Sequence, residues 1–550
     1  MALLLVATVI ALFIVYRATA YQLRERRFRR FALEHNCEDA PNLYTSYFAV
    51  LQRLWRLINC RRSGEDIMDD ILSPDFERRP TFASMGFTGT SIVGTMDPAN
   101  IQALLATQFG DFETGERRYK ALAPVLGRSI FSSDGSCQPY RRIRSFWFLI
   151  LFAGPFWKHS RELFRPQFSR DNINDLQATE KAVQSLFEAI EGEGATDGGI
   201  CGDTDLLPLF YNLTLDTATD FLFGESVNSQ QAFVQKAKSG SSMDFSKVEA
   251  LASEASSEQF AEDFEVLGGG LQQRIQLQAL SWLGNERKFR QAVANVHKFT
   301  EHFVGIALKS VDVEQKSKKD YLLSALANQT RDRTELRNQT LAILFAGRDT
   351  TAALLAWCMI RLTLHQEVFV RLRQVVLSEF GANGDESMTF AQLKACRPLQ
   401  HFINEVLRLN PVVPFNARVA VRDTTLPVGG GASRRSPIAV RKNTNVLYSI
   451  YTMHRRKDLW GKDALLFNPG RWERRLPFSW QFVPFSGGPR ICLGQQFALV
   501  ETSYVLVRLL QRYDAVRAVD REQMTKMRKG IGLAMWPADG VKVKLHKARV

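Results

Sequence analysis

The residues with the clearest chemical potential lie in one glycine-rich stretch near the C-terminus, Phe485-Ser-Gly-Gly-Pro-Arg490-Ile-Cys492-Leu-Gly494. Its glycines let the backbone turn tightly and approach a flat ring closely. Arg490 can donate a two-pronged, charge-assisted hydrogen bond to a carboxylate. Cys492 can serve as an axial thiolate ligand to iron. A lone cysteine is more often a small buried apolar residue, so this prediction depends on the whole stretch.

A second group of charged residues lies upstream. Glu405 and Arg408 are three residues apart on one predicted helical face, and Pro411 ends that helix. Most pairs of this kind are solvated and mean little alone. Arg471, in the stretch Phe467-Asn-Pro-Gly-Arg471-Trp472, could complete a buried Glu–Arg–Arg network with them.

The longest predicted helix covers residues 334–365, where apolar side chains recur at helical spacing. Its centre reads Ala346-Gly-Arg-Asp349-Thr350-Thr351. Glycine and threonine are unfavourable inside a helix, and a threonine hydroxyl can compete for a backbone carbonyl. Such local conflict often marks a functional site. The alternative is that Asp349 is a solvated surface acid and Thr350 merely kinks the helix.

Helical periodicity dominates the rest of the chain, with short β-like stretches at residues 90–95 and 446–449. Loops are predicted at residues 191–203, 316–319 and 428–436. The length of 550 residues suggests several domains. No linker divides the sequence convincingly, so one large catalytic domain is expected.

The composition is that of a basic globular protein, with a net charge of +14, 45% hydrophobic residues and 38 phenylalanines. The positive charge lacks the clustered, aromatic-interleaved footprint of nucleic-acid binding. It suits a membrane surface or an acidic protein partner instead. The seven cysteines are odd in number and widely spaced, which argues against a disulfide framework or a zinc site. A reducing compartment is therefore expected.

The N-terminus carries an unbroken apolar run over residues 2–16, followed by arginines at positions 17, 24, 26, 27, 29 and 30. Positive charge after the run holds that side in the cytoplasm. We therefore expect an uncleaved transmembrane signal anchor at residues 1–21, a basic linker and membrane-proximal segment at 22–60, and a catalytic domain at 61–550. The alternative is a signal peptide cleaved after Ala18-Thr19-Ala20, but its charge should precede the apolar run.

Together these stretches resemble the cytochrome P450 family. The family pattern F-x-x-G-x-R-x-C-x-G is matched at Phe485, Gly488, Arg490, Cys492 and Gly494. The oxygen-side motif of the family is matched at Ala346, Gly347, Asp349 and Thr350, and its E-x-x-R motif at Glu405 and Arg408. The W-x-x-x-R motif that holds haem propionates is matched at Trp157 and Arg161, and Arg418 stands where a further propionate partner often lies.

The resemblance implies a mainly α fold with a minor β region, preceded by the anchor helix. It implies haem b held by Cys492, with Asp349 and Thr350 guiding protons to bound O2. Electrons would come from NADPH through NADPH–cytochrome P450 reductase, docking on a basic face near Cys492. The expected location is the endoplasmic reticulum membrane, with a single span and a cytoplasmic catalytic domain.

A closer resemblance is to fungal alkane and fatty-acid hydroxylases, through residues 156–170, 212–225 and 349–353. It implies hydroxylation of a lipophilic long-chain substrate, at the terminal position. Candidate substrate contacts, placed by family analogy alone, are Ile343, Leu344, Val412, Val413, Phe415 and Leu533. Three alternatives stay open: a haem-thiolate isomerase or dehydratase working without a reductase, a hydroxylase of another lipophilic substrate, and an inactive haem-binding product of a mis-spliced transcript.

Two features depart from the family pattern. Gly470 stands before Arg471 where many relatives carry an acid. Residues 136–154 separate a Ser-Asp-Gly turn from the Pro155-Phe-Trp-Lys stretch that directly follows it in relatives. We interpret this nineteen-residue insert as a translated, unspliced intron, because its length keeps the reading frame and its borders permit intron ends. The alternative is a membrane-contacting loop, since arginines precede an apolar run there.

Overall fold

The computed structural model describes residues 2–44, 46–85, 91–134, 156–168, 176–192, 200–239, 257–312, 321–382, 388–474 and 479–548. The chain forms two compact units. The first comprises Met1–Glu113, Phe415–Met453 and Ser479–Arg490, and the second comprises Thr114–Pro414, His454–Phe478 and Ile491–Val550. Each unit therefore combines segments that are distant in the sequence.

Helices make up most of the described structure, as predicted. The α-helices are α1 Ala2–Glu34, α2 Tyr47–Ser63, α3 Ser73–Arg78, α4 Pro98–Gln102, α5 Glu116–Leu126, α6 Phe156–Phe164, α7 Gln177–Gly192, α8 Leu206–Phe223, α9 Ser229–Ser239, α10 Ser257–Leu277, α11 Arg287–Asp312, α12 Leu322–Ala327, α13 Arg333–Leu364, α14 Gln366–Phe380, α15 Phe390–Ala395, α16 Arg397–Leu409, α17 Ile450–Met453, α18 Lys457–Trp460, α19 Arg471–Arg474, α20 Gln495–Arg512 and α21 Arg521–Thr525. Short π-helices cover Ile67–Leu72 and Ala103–Thr107, and 3-10 helices cover Phe109–Asp111, Arg165–Phe168, Gln278–Leu283 and Gly488–Arg490.

The strands form small sheets, each contained in one unit. They are β1 Thr81–Met85, β2 Ser91–Thr95, β3 Phe112–Glu113, β4 Thr204–Asp205, β5 Phe415–Ala420, β6 Thr424–Gly430, β7 Ser436–Val440, β8 Asn445–Ser449, β9 Tyr513–Ala518, β10 Lys529–Ile531, β11 Met535–Pro537 and β12 Lys542–Lys547. The first unit holds the sheet β1-β2-β8-β5-β3 and the hairpin β6-β7. The second holds the sheet β4-β12-β9 and the hairpin β10-β11.

The two predicted β-like stretches are confirmed. Strand β2 covers the described part of residues 90–95, and β8 covers residues 446–449. The two strands pair in parallel, with Val93 opposite Val446. Both valines are buried. Their β-branched side chains favour the strand conformation.

The predicted loop at residues 428–436 is wrong at both ends, because β6 continues to Gly430 and β7 begins at Ser436. The strands pair despite the glycines, with a register shift between Leu426 and Gly430 that takes up the irregular backbone. The side-chain amide of Asn100 exchanges two hydrogen bonds with the backbone of Val428, of 2.9 and 3.1 Å. The other two predicted loops fall largely outside the described residues.

Helix α1 runs without a break through both the apolar segment and the arginine cluster. From Leu5 to Glu34 it is long and apolar enough to cross a membrane, and its apolar window has no buried part. It is therefore a candidate anchor. Helix α13 passes the same test of length and composition, but 72% of its window is buried, so it is a core helix.

The long helix predicted at residues 334–365 is confirmed as α13. It begins after Asp332, whose side chain accepts hydrogen bonds from the N–H groups of Thr334 and Glu335 at 2.8 and 3.2 Å. Such an N-cap satisfies backbone donors that a helix leaves unpaired at its start. Helix α13 packs against α8, where Thr214 Oγ1 donates to the carbonyl of Arg348 at 2.9 Å. This contact fixes the central turn of α13 that carries Asp349 and Thr350.

Candidate active site

Cys492 lies three residues before α20, and Gly494 occupies the N-cap of that helix. The cysteine has exposed surface, yet protein atoms surround it closely enough to raise the pKa of its thiol. The N–H of Gly494 and the Arg161 guanidinium lower that pKa, because both favour the thiolate. Among the described residues no group of three or more His, Cys, Asp or Glu side chains could hold a metal. The Gly494 N–H and Arg161 therefore stabilise the thiolate form of Cys492 against the opposing effect of burial.

Trp157 and Arg161 lie on α6, and Arg161 is tied to the cysteine loop. Arg161 Nη1 donates to the carbonyl of Ile491 at 2.9 Å. The guanidinium carbon lies 6.0 Å from the ring centre of Trp157, which is 8% exposed. The remaining donors of Arg161 can bind an anionic group near Cys492. The structure therefore brings together three of the predicted residues in the second unit.

Helix α6 is held against α13 by polar contacts. Gln339 Nε2 donates to Ser160 Oγ at 2.5 Å, and a ring nitrogen of His159 lies 2.9 Å from Glu335 Oε1. The predicted insert at residues 136–154 lies outside the described residues. Helix α6 begins at Phe156.

Asp349 and Thr350 lie in the middle of α13, and neither is a solvated surface group. Arg348 Nη1 pairs with Asp349 Oδ1 at 3.0 Å, and the Arg348 guanidinium lies 4.7 Å from the ring centre of Tyr211 and 5.4 Å from that of Phe264. Burial raises the pKa of Asp349, while Arg348 lowers it. Thr350 Oγ1 donates to the carbonyl of Ala346 at 2.6 Å, which is the competition for a helix carbonyl expected from the sequence.

Glu405, Arg408 and Arg471 form the predicted network. Glu405 and Arg408 have no exposed side-chain surface and pair through two hydrogen bonds of 2.8 Å. Arg408 also donates to three backbone carbonyls, those of His454, Ala464 and Leu466. Arg471 Nε lies 3.5 Å from Glu405 Oε1. The buried guanidinium of Arg408 therefore donates five hydrogen bonds, two to Glu405 and three to backbone carbonyls.

The sequence did not identify the other members of this network. Asp463 accepts two hydrogen bonds from Arg471, of 3.0 and 2.9 Å. Trp472 Nε1 and the N–H of Asn468 donate to Glu405 at 3.1 and 3.0 Å. Asp463 thus supplies a carboxylate to Arg471 although Gly470 precedes that arginine. The first departure from the family pattern is compensated by an acid seven residues away.

Phe485, Gly488, Arg490 and Arg418 belong to the first unit. Gly488 has a φ of +65°, and a Cβ there would lie 1.8 Å from the carbonyl oxygen of Leu105, so glycine is required. Arg418 is 4% exposed, and its Nε has no hydrogen-bond partner within the described part of the chain. A buried arginine with an unused donor can bind an anionic group. Phe485 and Arg490 are half-buried.

The segment that carries Val412 and Val413 is joined to the hairpin that carries Leu533 in the second unit. The N–H of Met535 donates to the carbonyl of Val412 at 2.7 Å, and Trp357 Nε1 on α13 donates to the Met535 carbonyl at 3.0 Å. These bonds join the segment after α16, the hairpin β10-β11 and α13. Three of the candidate substrate contacts in the second unit are half-buried, namely Ile343, Val413 and Leu533. Val412 and Leu344 are buried, and Phe415 begins β5 of the first unit.

Glu501 on α20 is a buried acid that the sequence did not single out. Thr217 Oγ1 on α8 donates to Glu501 Oε1 at 2.5 Å, and Thr351 on α13 also hydrogen-bonds to it. Burial raises the pKa of Glu501 to about 7, against the lowering effect of both threonines. The sequence signal was weak, because an acid inside a helix is usually solvated. This carboxyl links the helix after Cys492 to the helix that carries Thr350.

The raised pKa of Glu501 predicts a specific pH dependence of stability. The unfolded chain releases this proton near pH 4.5, whereas the folded chain keeps it until about pH 7. Stability should therefore fall as pH rises through this window, by at most about 3 kcal/mol. Glu501→Gln is expected to remove that fall. Urea midpoints at pH 5 and pH 8 measure it, and an equal fall in the variant and the parent would contradict the prediction.

The residues of each unit suit a haem. The second unit offers a thiol supported by an N–H donor, a helix N-terminus and Arg161. The first unit offers a buried arginine with an unused donor. A thiolate ligand and arginines for the propionates are what such a group needs.

Comparison with known proteins agrees with this donor set. The family model "Cytochrome P450" matches residues 117–545. The chain is 39% identical to "Cytochrome P450 monooxygenase g430" of Fusarium sp over 525 residues, which cover 94% of this chain and 86% of that protein. It is 38% identical to "Cytochrome P450 52A13" of Debaryomyces hansenii over 528 residues, covering 94% and 93%. It is 41% identical to "Cytochrome P450 52A3-A" of Candida maltosa over 498 residues, covering 88% and 87%.

The chain therefore belongs to the cytochrome P450 family. It is an oxidoreductase of the monooxygenase class with haem b as its cofactor. The resemblance stated from the sequence motifs is confirmed at the level of the family and of its fungal members.

Proposed function

We propose that this chain hydroxylates long-chain alkanes or fatty acids at the terminal position. It would use O2 and electrons that pass from NADPH through NADPH–cytochrome P450 reductase. The observation that carries the proposal is the buried pair of Asp349 and Arg348 beside Thr350. A monooxygenase must deliver protons to bound oxygen, whereas an isomerase or dehydratase that consumes a peroxide has no such need. A carboxyl held next to a hydroxyl in the core helix is suited to that delivery.

The protein residues have distinct roles in this proposal. The haem, bound through Cys492, supplies oxygen activation and insertion into an unactivated C–H bond. Arg161 and Arg418 hold its propionates, with Trp157, Phe485, Arg490 and Gly494 completing the binding residues. Asp349 Oδ1 exchanges a proton with solvent, and Thr350 Oγ1 passes it on. The network of Glu405, Arg408 and Arg471 keeps the surrounding segments in place.

The substrate class is supported by the apolar character of the candidate substrate contacts in the second unit. Ile343, Val413 and Leu533 keep part of their surface free and carry no polar group that would orient a hydrophilic ligand. Sites for lipophilic ligands are mostly apolar with few polar contacts. The resemblance to fungal alkane and fatty-acid hydroxylases points the same way. Leu344 and Val412 of the second unit are buried behind these contacts in this proposal, and Phe415 stays a candidate substrate contact by family analogy.

The reductase is the proposed partner of the face near Cys492. Lys158 and Arg165, next to the residues of α6 that approach the cysteine loop, are exposed and basic. Complementary charge accelerates association with an acidic partner. We further propose that α1 anchors the chain in the endoplasmic reticulum membrane as a single span. In this proposal residues 1–21 form the span, residues 22–60 the basic linker and membrane-proximal segment, and residues 61–550 the catalytic domain on the cytoplasmic side.

A substrate panel tests the function. The chain without residues 136–154, in vesicles with the reductase, is expected to convert alkanes or fatty acids to terminal alcohols only when NADPH is present. Gas chromatography with mass spectrometry identifies the position of the hydroxyl group. Turnover that needs a peroxide substrate and ignores NADPH would support the isomerase or dehydratase instead. Subterminal alcohols alone would contradict the proposed position but keep the monooxygenase.

The insert at residues 136–154 is tested with the carbon-monoxide difference spectrum of the reduced protein. We expect the red-shifted band of a thiolate-bound haem in a version that lacks these residues, and not in the full sequence. Equal bands in both would show that the segment is a genuine loop and overturn the intron hypothesis. If haem is bound in both but neither shows the band, Cys492 is not the ligand. Sequencing the mature transcript is the independent check.

A further inference from the structure

A buried arginine of α10 carries a charge that no described acidic side chain neutralises. Arg274 is 5% exposed, and within the described ranges it forms no ion pair. Burial lowers the pKa of its guanidinium, yet an arginine in a protein keeps its proton. Buried charges are normally paired, because an uncompensated one is costly. Arg274 therefore has the character of a site for an anion.

Two backbone carbonyls of α5 fix the position of this guanidinium. Arg274 Nε donates to the Ala121 carbonyl at 2.9 Å, and Nη2 donates to the Lys120 carbonyl at 2.8 Å. Pro124 lies inside α5 and has no N–H, so the Lys120 carbonyl cannot accept the usual helical hydrogen bond from it. The carbonyls orient the guanidinium without neutralising it. They use two of its five N–H donors, and the remaining three can bind a carboxylate in the two-pronged manner.

Helix α10 also reaches the turn of α13 that carries Asp349. Phe264 stacks on Phe345 of α13 with ring centres 4.0 Å apart, and the Arg348 guanidinium lies over the Phe264 ring. Arg274 follows Phe264 by ten residues of one continuous helix, which is about 15 Å along the helix axis. Ten residues at about 100° each bring the two side chains within about 80° of one another around the helix. Helix α5 packs against both α10 and α13, so the three helices share one side.

We propose that Arg274 binds the carboxylate of a long-chain fatty acid, so that fatty acids rather than alkanes are the substrates this chain selects. The carboxylate supplies the missing negative charge, and the apolar chain extends along α10 towards α13. An acid held in this way presents its far end, and not the carbons beside the carboxylate, to the turn of Asp349 and Thr350. The inference rests on the proposed function and deepens it, because it names the substrate class and gives a physical reason for the terminal position.

The test compares dodecanoic acid with its methyl ester, which has the same chain but no charge. The protein is the version that lacks residues 136–154, with haem bound. Binding is measured without NADPH by isothermal titration calorimetry, below the concentration at which the ligand forms micelles. Turnover is measured separately with the reductase and NADPH, and mass spectrometry gives the position of the hydroxyl group.

Arg274→Met is the test variant, since it removes the charge and keeps most of the length. Its matched control is Arg290→Met, because Arg290 is an exposed arginine on the neighbouring helix α11. A ring nitrogen of His297 lies 2.8 Å from the Val125 carbonyl and still ties α5 to α11 in the variant. We therefore expect the urea midpoint and the carbon-monoxide band to stay near those of the parent. If Arg274→Met fails this check, Arg274→Gln replaces it, because its amide can still donate to a carbonyl of α5.

The parent is expected to bind the acid more tightly than the ester. Arg274→Met should raise the Kd of the acid about 10- to 100-fold, as expected for the loss of a charge-assisted hydrogen bond. The Kd of the ester should stay unchanged, and Arg290→Met should change neither. The hydroxyl group on the acid should move away from the terminal carbon in Arg274→Met, because its chain is no longer held at one end.

Equal weakening of acid and ester would show that Arg274 only holds α5 in place, and would overturn the proposal. Unchanged binding of the acid, or a parent that does not prefer the acid, would overturn it as well. Binding of the acid that depends on Arg274, without hydroxylated product, would leave the site standing and count against the proposed function alone. Terminal alcohols formed equally well with and without Arg274 would keep the proposed function and overturn the site.

Discussion

Replacing Glu405 by alanine is expected to lower the free energy of unfolding by about 3–5 kcal/mol and to prevent stable haem incorporation. The variant leaves the positive charge of Arg408 fully buried without its carboxylate. Trp472 Nε1 and the N–H of Asn468 lose their acceptor as well. Single domains are stable by only about 5–15 kcal/mol, so this loss is a large fraction of the total.

The effect is measured by urea unfolding followed through tryptophan fluorescence, together with the haem content of the purified protein. Glu522→Ala is the matched control, because Glu522 pairs with Lys526 at 2.8 Å on an exposed helix face. That change is expected to leave the urea midpoint unchanged, since exposed pairs contribute little. A Glu405→Ala variant that unfolds at the urea concentration of the parent would show that the buried network is dispensable.

The sequence identified the charged core of this network but not its completion. Glu405 and Arg408 share a helix, so their spacing predicted their contact. Asp463 and two of the carbonyls around Arg408 come from the irregular segment between α18 and α19, and the third carbonyl, that of His454, comes from the turn before α18. No periodicity describes such segments, so their contacts depend on the tertiary fold. The glycine-rich hairpin β6-β7 was missed for a similar reason, because Asn100 from a distant helix supports its backbone.

Helix α13 was predictable because its caps and its apolar spacing agree over many residues. The environment of the central turn of α13 could not be predicted from the sequence. Tyr211 and Phe264, which flank Arg348, come from α8 and α10. The two threonines around Glu501 likewise come from two separate helices.

In the version that lacks residues 136–154, Asp349→Asn is expected to lower the rate of product formation by roughly 100-fold or more while the carbon-monoxide difference spectrum stays normal. Asparagine keeps the size of the side chain and its place beside Arg348 but cannot exchange a proton. Haem binding through Cys492, which lies in the loop before α20, should not change. The measurement compares product formation with NADPH consumption, and we expect NADPH to be oxidised without matching product. Unchanged coupling would show that Asp349 does not deliver protons.

Arg348→Met separates the charge of this arginine from its bulk. The methionine can keep apolar contact with Tyr211 and Phe264, but it removes the cation that lowers the pKa of Asp349. Burial and the negative charge of Glu265 both raise that pKa, and they then act unopposed. If turnover requires ionised Asp349 to accept a proton from solvent, the acidic limb of the pH–rate profile must move to higher pH. The double variant Arg348→Met, Asp349→Asn should lose this shift, because the titrating group is gone. A shift that persists in the double variant would assign the limb to another residue and leave Arg348 a packing role only.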